Sequence, residues 1–244
     1  MSFLREIWQK YQNGNTLTRL LFINVAMFLF IIAVKTIAIL LLIRHADITE
    51  QLFQFHWDIG QTLRRPWTLF TAMFTSHGIW HLLFNMVMLY WFGTILLQYF
   101  NNSTLRGIYV IGAISSMVFY SLPFYLTHSL DEIENPCFPA ASGAILAIAT
   151  LLAFKAPNHT ETFPVIGPVH IKILTLVLLM VDIALFPQGN PATDCAHLGA
   201  FLSGLLFYRM YLKGIDMAKP VTQVYIFLQE LIQKIIVEIK RRIP

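Results

Sequence analysis

The chain has 244 residues, 57% of them hydrophobic, 14% aromatic and only 12% charged, with a formal net charge of +4 and a mean hydropathy of +0.63. A soluble domain carries about 25% charged residues, so this chain has too few to clothe a water-facing surface, and disorder, a disulfide-rich secreted fold and a nucleic-acid-binding module all fit it poorly. Two cysteines, Cys137 and Cys195, are too few for a disulfide framework or a cysteine-built zinc site. The composition is that of an integral membrane protein.

Residues 1–16 mix Arg5, Glu6 and Lys10 with many polar groups. The apolar run that follows, from about Leu17 to Ile43 with Lys35 inside it, is too long for a signal-peptide core and has no small-residue cleavage site; it reads as a retained first span. A polar segment from Arg44 to about Arg65 comes next. The second span covers Ile79 to Phe100 and the third Leu105 to Leu126. After the polar stretch Thr127 to Pro139, a compact apolar run occupies Ser142 to Phe154. The fifth span is Ile171 to Phe186 and the sixth Ala196 to Leu212. Turn formers such as Ala156-Pro157-Asn158 and Pro187-Gln188-Gly189-Asn190-Pro191 lie between. The expected fold is therefore all-α, a polytopic six-helix bundle over residues 17–213 with a short fourth helix, followed by a tail at 214–244.

Lys and Arg set the expected orientation. With six spans and a cytoplasmic N-terminus, Arg44, Arg64 and Arg65 fall outside and Lys35 in the membrane, and every other basic residue lies inside. The bias puts both termini in the cytoplasm, with Asp131-Glu132-Ile133-Glu134 and the loop from Pro187 to Asp194 facing out. In the tail, Val221, Tyr225, Leu228, Ile232, Ile235 and Ile239 recur at spacings of three and four, predicting an amphipathic helix. It suits a helix lying on the inner leaflet; a homodimerisation helix is the alternative.

The short fourth helix is the informative one. Thirteen residues make roughly 20 Å of helix against a hydrocarbon core of about 30 Å. If its end near Lys155 reaches the cytoplasmic face, its start lies inside the bilayer, where unpaired N–H groups are tolerated only beside protein or water and the dipole favours developing negative charge. Ser142 sits on that first turn, as a nucleophile or as a plain N-cap. His197 lies just inside the sixth span, a costly place for an imidazole. Ala200 and Gly204 share its face, and Gly143 and Ala147 form a second small pair, so the two helices can approach closely. If those faces meet, Ser142 and His197 make a nucleophile and base. In the second span His81 and Asn85, four residues apart, present two donors to one side. They suit either an oxyanion hole or ordinary interhelical hydrogen bonds.

Together, Trp80-His81-Leu82-Leu83-Phe84-Asn85, Ala140-Ala141-Ser142-Gly143-Ala144 and Ala196-His197-Leu198-Gly199-Ala200-Phe201-Leu202-Ser203-Gly204 resemble the motifs of the rhomboid family of intramembrane serine proteases, in the family's order on the second, fourth and sixth helices. Pro66-Trp67 resembles the start of the family's first external loop. The resemblance covers about Leu17 to Leu212. It implies a rhomboid-like bundle in which Ser142 is the nucleophile, His197 the general base, and His81 and Asn85 join the Ser142 N–H in binding the oxyanion. It implies that Gly143, Ala200 and Gly204 bring the fourth and sixth helices together. The implied substrates are transmembrane proteins cleaved in or near a readily unwound segment in the lipid bilayer, with no cofactor and no metal. A bacterial plasma membrane is the most economical location.

Four positions depart from the family pattern. Ala140 stands for a glycine, the first of the small pair after the histidine is Ala200, which like Ala140 adds one methyl, Leu146 stands for an aromatic and Thr68 for an arginine. Ala140 keeps open a catalytically weak or inactive protein that binds membrane clients. Asp194 is expected to cap the sixth helix or to orient the imidazole, and Asp182 is given no catalytic role. Cys137 and Cys195 are two thiols by default; a disulfide tying the third external loop to the sixth helix is the alternative. His77 and His81 lack the adjacent glutamate of zinc proteases, Gly78 standing there, and no mirrored pair of interrupted helices supports a transporter.

Overall fold

The computed structural model describes residues 2–41, 48–126, 137–163, 167–185 and 191–242. Helix α1 (Ser2–Asn13) leads into α2 (Thr16–Leu40). Asn15 starts α2 by accepting the Thr18 N–H at 2.9 Å. Lys35 is exposed on α2, and the expected end at Ile43 lies outside the described residues.

The polar segment that follows is built from short pieces: α3 (Ile48–Phe53), β1 (Phe55–His56), α4 (Ile59–Arg64), α5 (Thr68–Thr71) and a 3₁₀ turn at Ala72–Phe74. Asp58 caps α4, accepting the N–H groups of Gly60 and Gln61, each at 3.1 Å. Elements this short carry too few residues for a hydrophobic period to show.

Each of the six predicted stretches is helical: α2, α6 (Ile79–Tyr99), α7 (Asn102–Leu126), α8 (Ala141–Lys155), α9 (Ile171–Leu185) and α10 (Pro191–Leu212). Among the described residues three, α2, α6 and α7, are long and apolar enough to cross a membrane unaided; α8 and α9 are apolar but shorter. Between them lie β2 (Cys137–Phe138) and the hairpin of β3 (Thr160–Phe163) with β4 (Gly167–His170), in which Gly167 takes a φ of +81° that suits glycine. The sequence reading does not anticipate this hairpin.

Helix α8 is the axis of the bundle. It packs against α6, α7, α9 and α10, and from Ala141 to Leu152 every residue but Ser142 is buried. Fifteen residues, about 22 Å of helix, suffice because its sides meet protein on all faces rather than lipid. The helix starts where the polar segment fixes it. Strand β1 pairs antiparallel with β2, Phe55 opposite Phe138 and His56 opposite Cys137. Trp57 stacks on Phe124 at 4.8 Å, Phe124 meets Tyr120 at 5.5 Å, and Tyr120 stacks on Phe138 at 4.7 Å. The buried Tyr109 hydroxyl donates to Met73 O at 2.7 Å and accepts from Asn24 Nδ2 at 3.0 Å, joining α7, the 3₁₀ turn and α2.

Two boundaries correct the sequence reading. Helix α10 begins at Pro191, whose fixed φ and missing N–H suit a first helical position, five residues before the apolar run at Ala196. Asp194 is therefore inside the first turn and is not the N-cap. The predicted tail helix is α11 (Ala218–Arg242), and its first turns dock on the bundle. Ala218 packs on Gly107 of α7, and the hydroxyls of Thr222 and Ser103 hydrogen-bond. The loop Asp131–Glu134 and the side chain of Asp182 lie outside the described residues.

Candidate active site

The start of α8 is anchored by backbone, not by a capping side chain. Ala140 occupies the cap position with φ −88° and ψ 6°, and its N–H donates to Ala72 O of the 3₁₀ turn at 2.8 Å. Ser142 is the second residue of the helix. The N-cap role is thereby removed, because a cap must precede the helix and reach forward to its N–H groups. The Ser142 hydroxyl turns instead toward α10, where its Oγ lies 3.5 Å from His197 Nε2. Ser142 is half-buried and His197 is 2% exposed. The Ser142 N–H belongs to the first turn, where no preceding helical carbonyl exists to receive it.

Small residues set how closely the helices approach, although not all as the sequence suggests. A Cβ added to Gly204 would lie 2.6 Å from Ala147 O and 2.7 Å from Thr150 Cβ, so Gly204 brings α10 onto the backbone of α8. Gly143 faces α7: a Cβ there would lie 2.5 Å from Ser116 Cβ, whereas Ala200 Cβ would be 3.7 Å away, an ordinary contact. Gly143 thus seats α8 chiefly against α7. Ser116, which the sequence does not single out, backs Gly143, the residue after Ser142; its hydroxyl is satisfied by Ala113 O at 2.7 Å.

His81 and Asn85 occupy one face of α6, with Asn85 3% exposed. Helix α6 packs against α8, which in turn packs against α10, so the α6 pair lies on a helix neighbouring the Ser142–His197 contact. His81 Nδ1 accepts the His77 backbone N–H at 3.3 Å. A neutral imidazole accepting at Nδ1 carries its proton on Nε2. Asn85 Nδ2 lies 3.4 Å from that Nε2. Two donors side by side cannot satisfy one another; they are satisfied by a shared acceptor, such as an oxyanion. His77, which the sequence analysis weighs only against a zinc-protease pattern and rejects, has its backbone as the group that sets this tautomer.

Cys137 and Cys195 are both thiols, so the disulfide alternative is not realised. Cys137 is instead held in the β1–β2 pairing opposite His56.

A family model described as Rhomboid domain matches residues 63–214, from the end of α4 through α10 and including every residue of the site. The chain belongs to the rhomboid family. Its fold is accordingly the intramembrane-protease type, in an all-α membrane bundle. Among curated relatives it is similar to "RHOMBOID-like protein 12, mitochondrial" of Arabidopsis thaliana, 30% identical over 157 residues that make up 60% of this chain and 47% of that protein. The chain thus spans about half the length of that relative.

The departures from the rhomboid pattern are accommodated locally. Ala140 is buried with a negative φ open to any residue, so its methyl causes no backbone strain. Ala140→Gly is expected to change any cleavage of a model substrate less than about fivefold, because removing one methyl from a site without strain costs roughly 1 kcal/mol or less. A gain of tenfold or more in initial rate would show that the alanine distorts the site. Thr68 is buried and donates to Arg65 O at 2.8 Å, closing the turn at Pro66-Trp67; Trp67 Nε1 donates to Leu52 O at 2.8 Å. Leu146 is fully buried in the core.

Proposed function

We propose that this rhomboid is an intramembrane serine endopeptidase that hydrolyses peptide bonds in or near transmembrane segments of other membrane proteins, with Ser142 as nucleophile and His197 as general base. The single observation that carries the reading is the approach of Ser142 Oγ to His197 Nε2 at 3.5 Å, at the one position between Ala141 and Leu152 where α8 is not buried. That distance is at the outer limit of a hydrogen bond, as is common for catalytic pairs that tighten around substrate.

The chemistry follows the serine-hydrolase logic without a required carboxylate. Ser142 Oγ bonds to the scissile carbonyl carbon as its proton passes to His197 Nε2, and the carbonyl electron pair moves onto oxygen. The Ser142 N–H, His81 Nε2–H and Asn85 Nδ2–H receive that oxyanion. Collapse breaks the C–N bond, and the leaving amine takes the proton from His197. Water, giving its proton to the same nitrogen, then attacks the acyl-enzyme, and Ser142 oxygen departs with that proton. A substrate helix must unwind locally, because a peptide bond inside a regular helix is shielded. The distribution of Lys and Arg supports six spans with both termini on the cytoplasmic side, and a bacterial plasma membrane is the location this reading assigns.

A fluorophosphonate probe offered to the detergent-solubilised chain tests the reading. Labelling of wild type and none of Ser142→Ala is the expected result. Equal labelling of both, or of neither, favours a client-binding protein without catalysis. Asn85→Ala is expected to lower cleavage of a model single-span substrate by about 10²–10³-fold while leaving the fold intact, the usual cost of one oxyanion donor. A loss under threefold would make Asn85 a structural residue.

A further inference from the structure

Arg19 and Arg106 share one phenol ring. Arg106 places its guanidinium carbon 4.3 Å from the ring centre of Tyr225 and donates to Thr16 Oγ1 at 3.3 Å. Arg19, one turn further along α2, donates Nη1 to the Tyr225 hydroxyl at 3.5 Å and Nη2 to Gln12 O at 3.0 Å. All of these partners are neutral. Among the described residues neither arginine forms an ion pair with a carboxylate. The Nε of each is shielded from solvent without an acceptor. Two like charges gathered on one ring, each a turn inside a membrane helix, repel across a medium of low polarity. An anion between them relieves that repulsion.

The surroundings say which anion. These residues join the starts of α2 and α7 to α1 and α11, both of which carry apolar faces. Trp8 of α1 is 58% exposed. From Ile226 to Ile239 every residue of α11 is exposed, with Leu228, Leu231, Ile232, Ile235 and Ile239 along one face and Lys234 on the other. Faces of this kind lie at the boundary between headgroups and acyl chains. The arginines therefore open at the depth of lipid phosphates. We infer that Arg19, Arg106 and Tyr225 form a site for the phosphodiester of an anionic phospholipid, which holds α11 against the ends of α2 and α7. Guanidinium forks and a phenol hydroxyl match phosphate oxygens, and the pair repels the ammonium of a zwitterionic headgroup. The inference is independent of catalysis.

The test is native mass spectrometry of the full chain in detergent, offered phosphatidylglycerol or phosphatidylcholine at equal concentration. An arginine at an anionic lipid surface contributes about a fivefold preference, so wild type is expected to retain phosphatidylglycerol about 25-fold better. Arg19→Gln and Arg106→Gln should each reduce that preference about fivefold, and the double variant should lose it. Lys234→Gln with Lys240→Gln should leave it unchanged. Undiminished preference in both single variants overturns the site, even if the double variant fails to fold. So does an equal loss in the lysine variant, which would mean diffuse attraction to the tail. Displacement of the retained lipid by millimolar inorganic phosphate would assign the pocket to free phosphate and overturn the lipid assignment.

Discussion

Ser142→Ala and His197→Ala are each expected to abolish cleavage of a single-span substrate, with losses on the order of 10⁶-fold by analogy with dyad-level deletions in soluble serine proteases. The two losses should be about equal, and the double variant no worse than either. On the proposed mechanism nucleophile and base act as one unit, so removing either removes the covalent route. The geometry behind this is a hydroxyl on the second residue of α8 facing an imidazole on α10, 3.5 Å apart. Initial rates in detergent micelles, with circular dichroism to verify the fold, are the measurement. A Ser142→Ala protein that still cuts at more than about a hundredth of the wild-type rate would end the nucleophile assignment. A merely tenfold loss in His197→Ala would make the histidine a packing residue.

Gly204→Val should be the next most damaging change, although the side chain is far from any reacting bond. A Cβ at this position meets the carbonyl oxygen of Ala147 at 2.6 Å, and a backbone atom inside the most enclosed helix of the bundle cannot swing aside. Helix α10 must then shift away from α8, carrying His197 with it. Overpacking of this kind costs about 3 kcal/mol, and a displacement near 1 Å at the dyad is worth on the order of 100-fold in rate. Both a lower thermal midpoint and a rate loss of that size are expected. The control is Leu206→Ala, on the exposed side of the same helix, which should leave the rate within about threefold. A Gly204→Val protein with unchanged midpoint and rate would show that α8 and α10 tolerate separation.

The spans are legible because apolar runs of helical length announce themselves. The expected Ile79 to Phe100 and the observed Ile79–Tyr99 differ by one residue. Less is readable where structure depends on pairing across the chain. Residues 48–74 form five short pieces whose positions are set by contacts with α7 and β2, and no local pattern records those contacts. The start of α10 escapes a hydropathy reading, which waits for apolar residues, whereas Pro191 begins the helix by backbone geometry. At the site, residue identities are visible from spacing and small-residue pairs, but their partners are not. Gly143 looks like a contact with α10 and belongs mainly to α7. Nor does any spacing show that the His77 N–H fixes the proton on His81 Nε2, since that requires the turn before α6 to fold back on the helix.

Because Phe55 and His56 pair with Phe138 and Cys137, and Ala72 receives the Ala140 N–H, the two stretches flanking α6 and α7 position one another through their main chains. A chimera importing residues 55–72 of different backbone shape without a matching 137–140 is expected to shift the start of α8, and with it the Ser142 hydroxyl, while leaving Ser142, His197, His81 and Asn85 in the sequence.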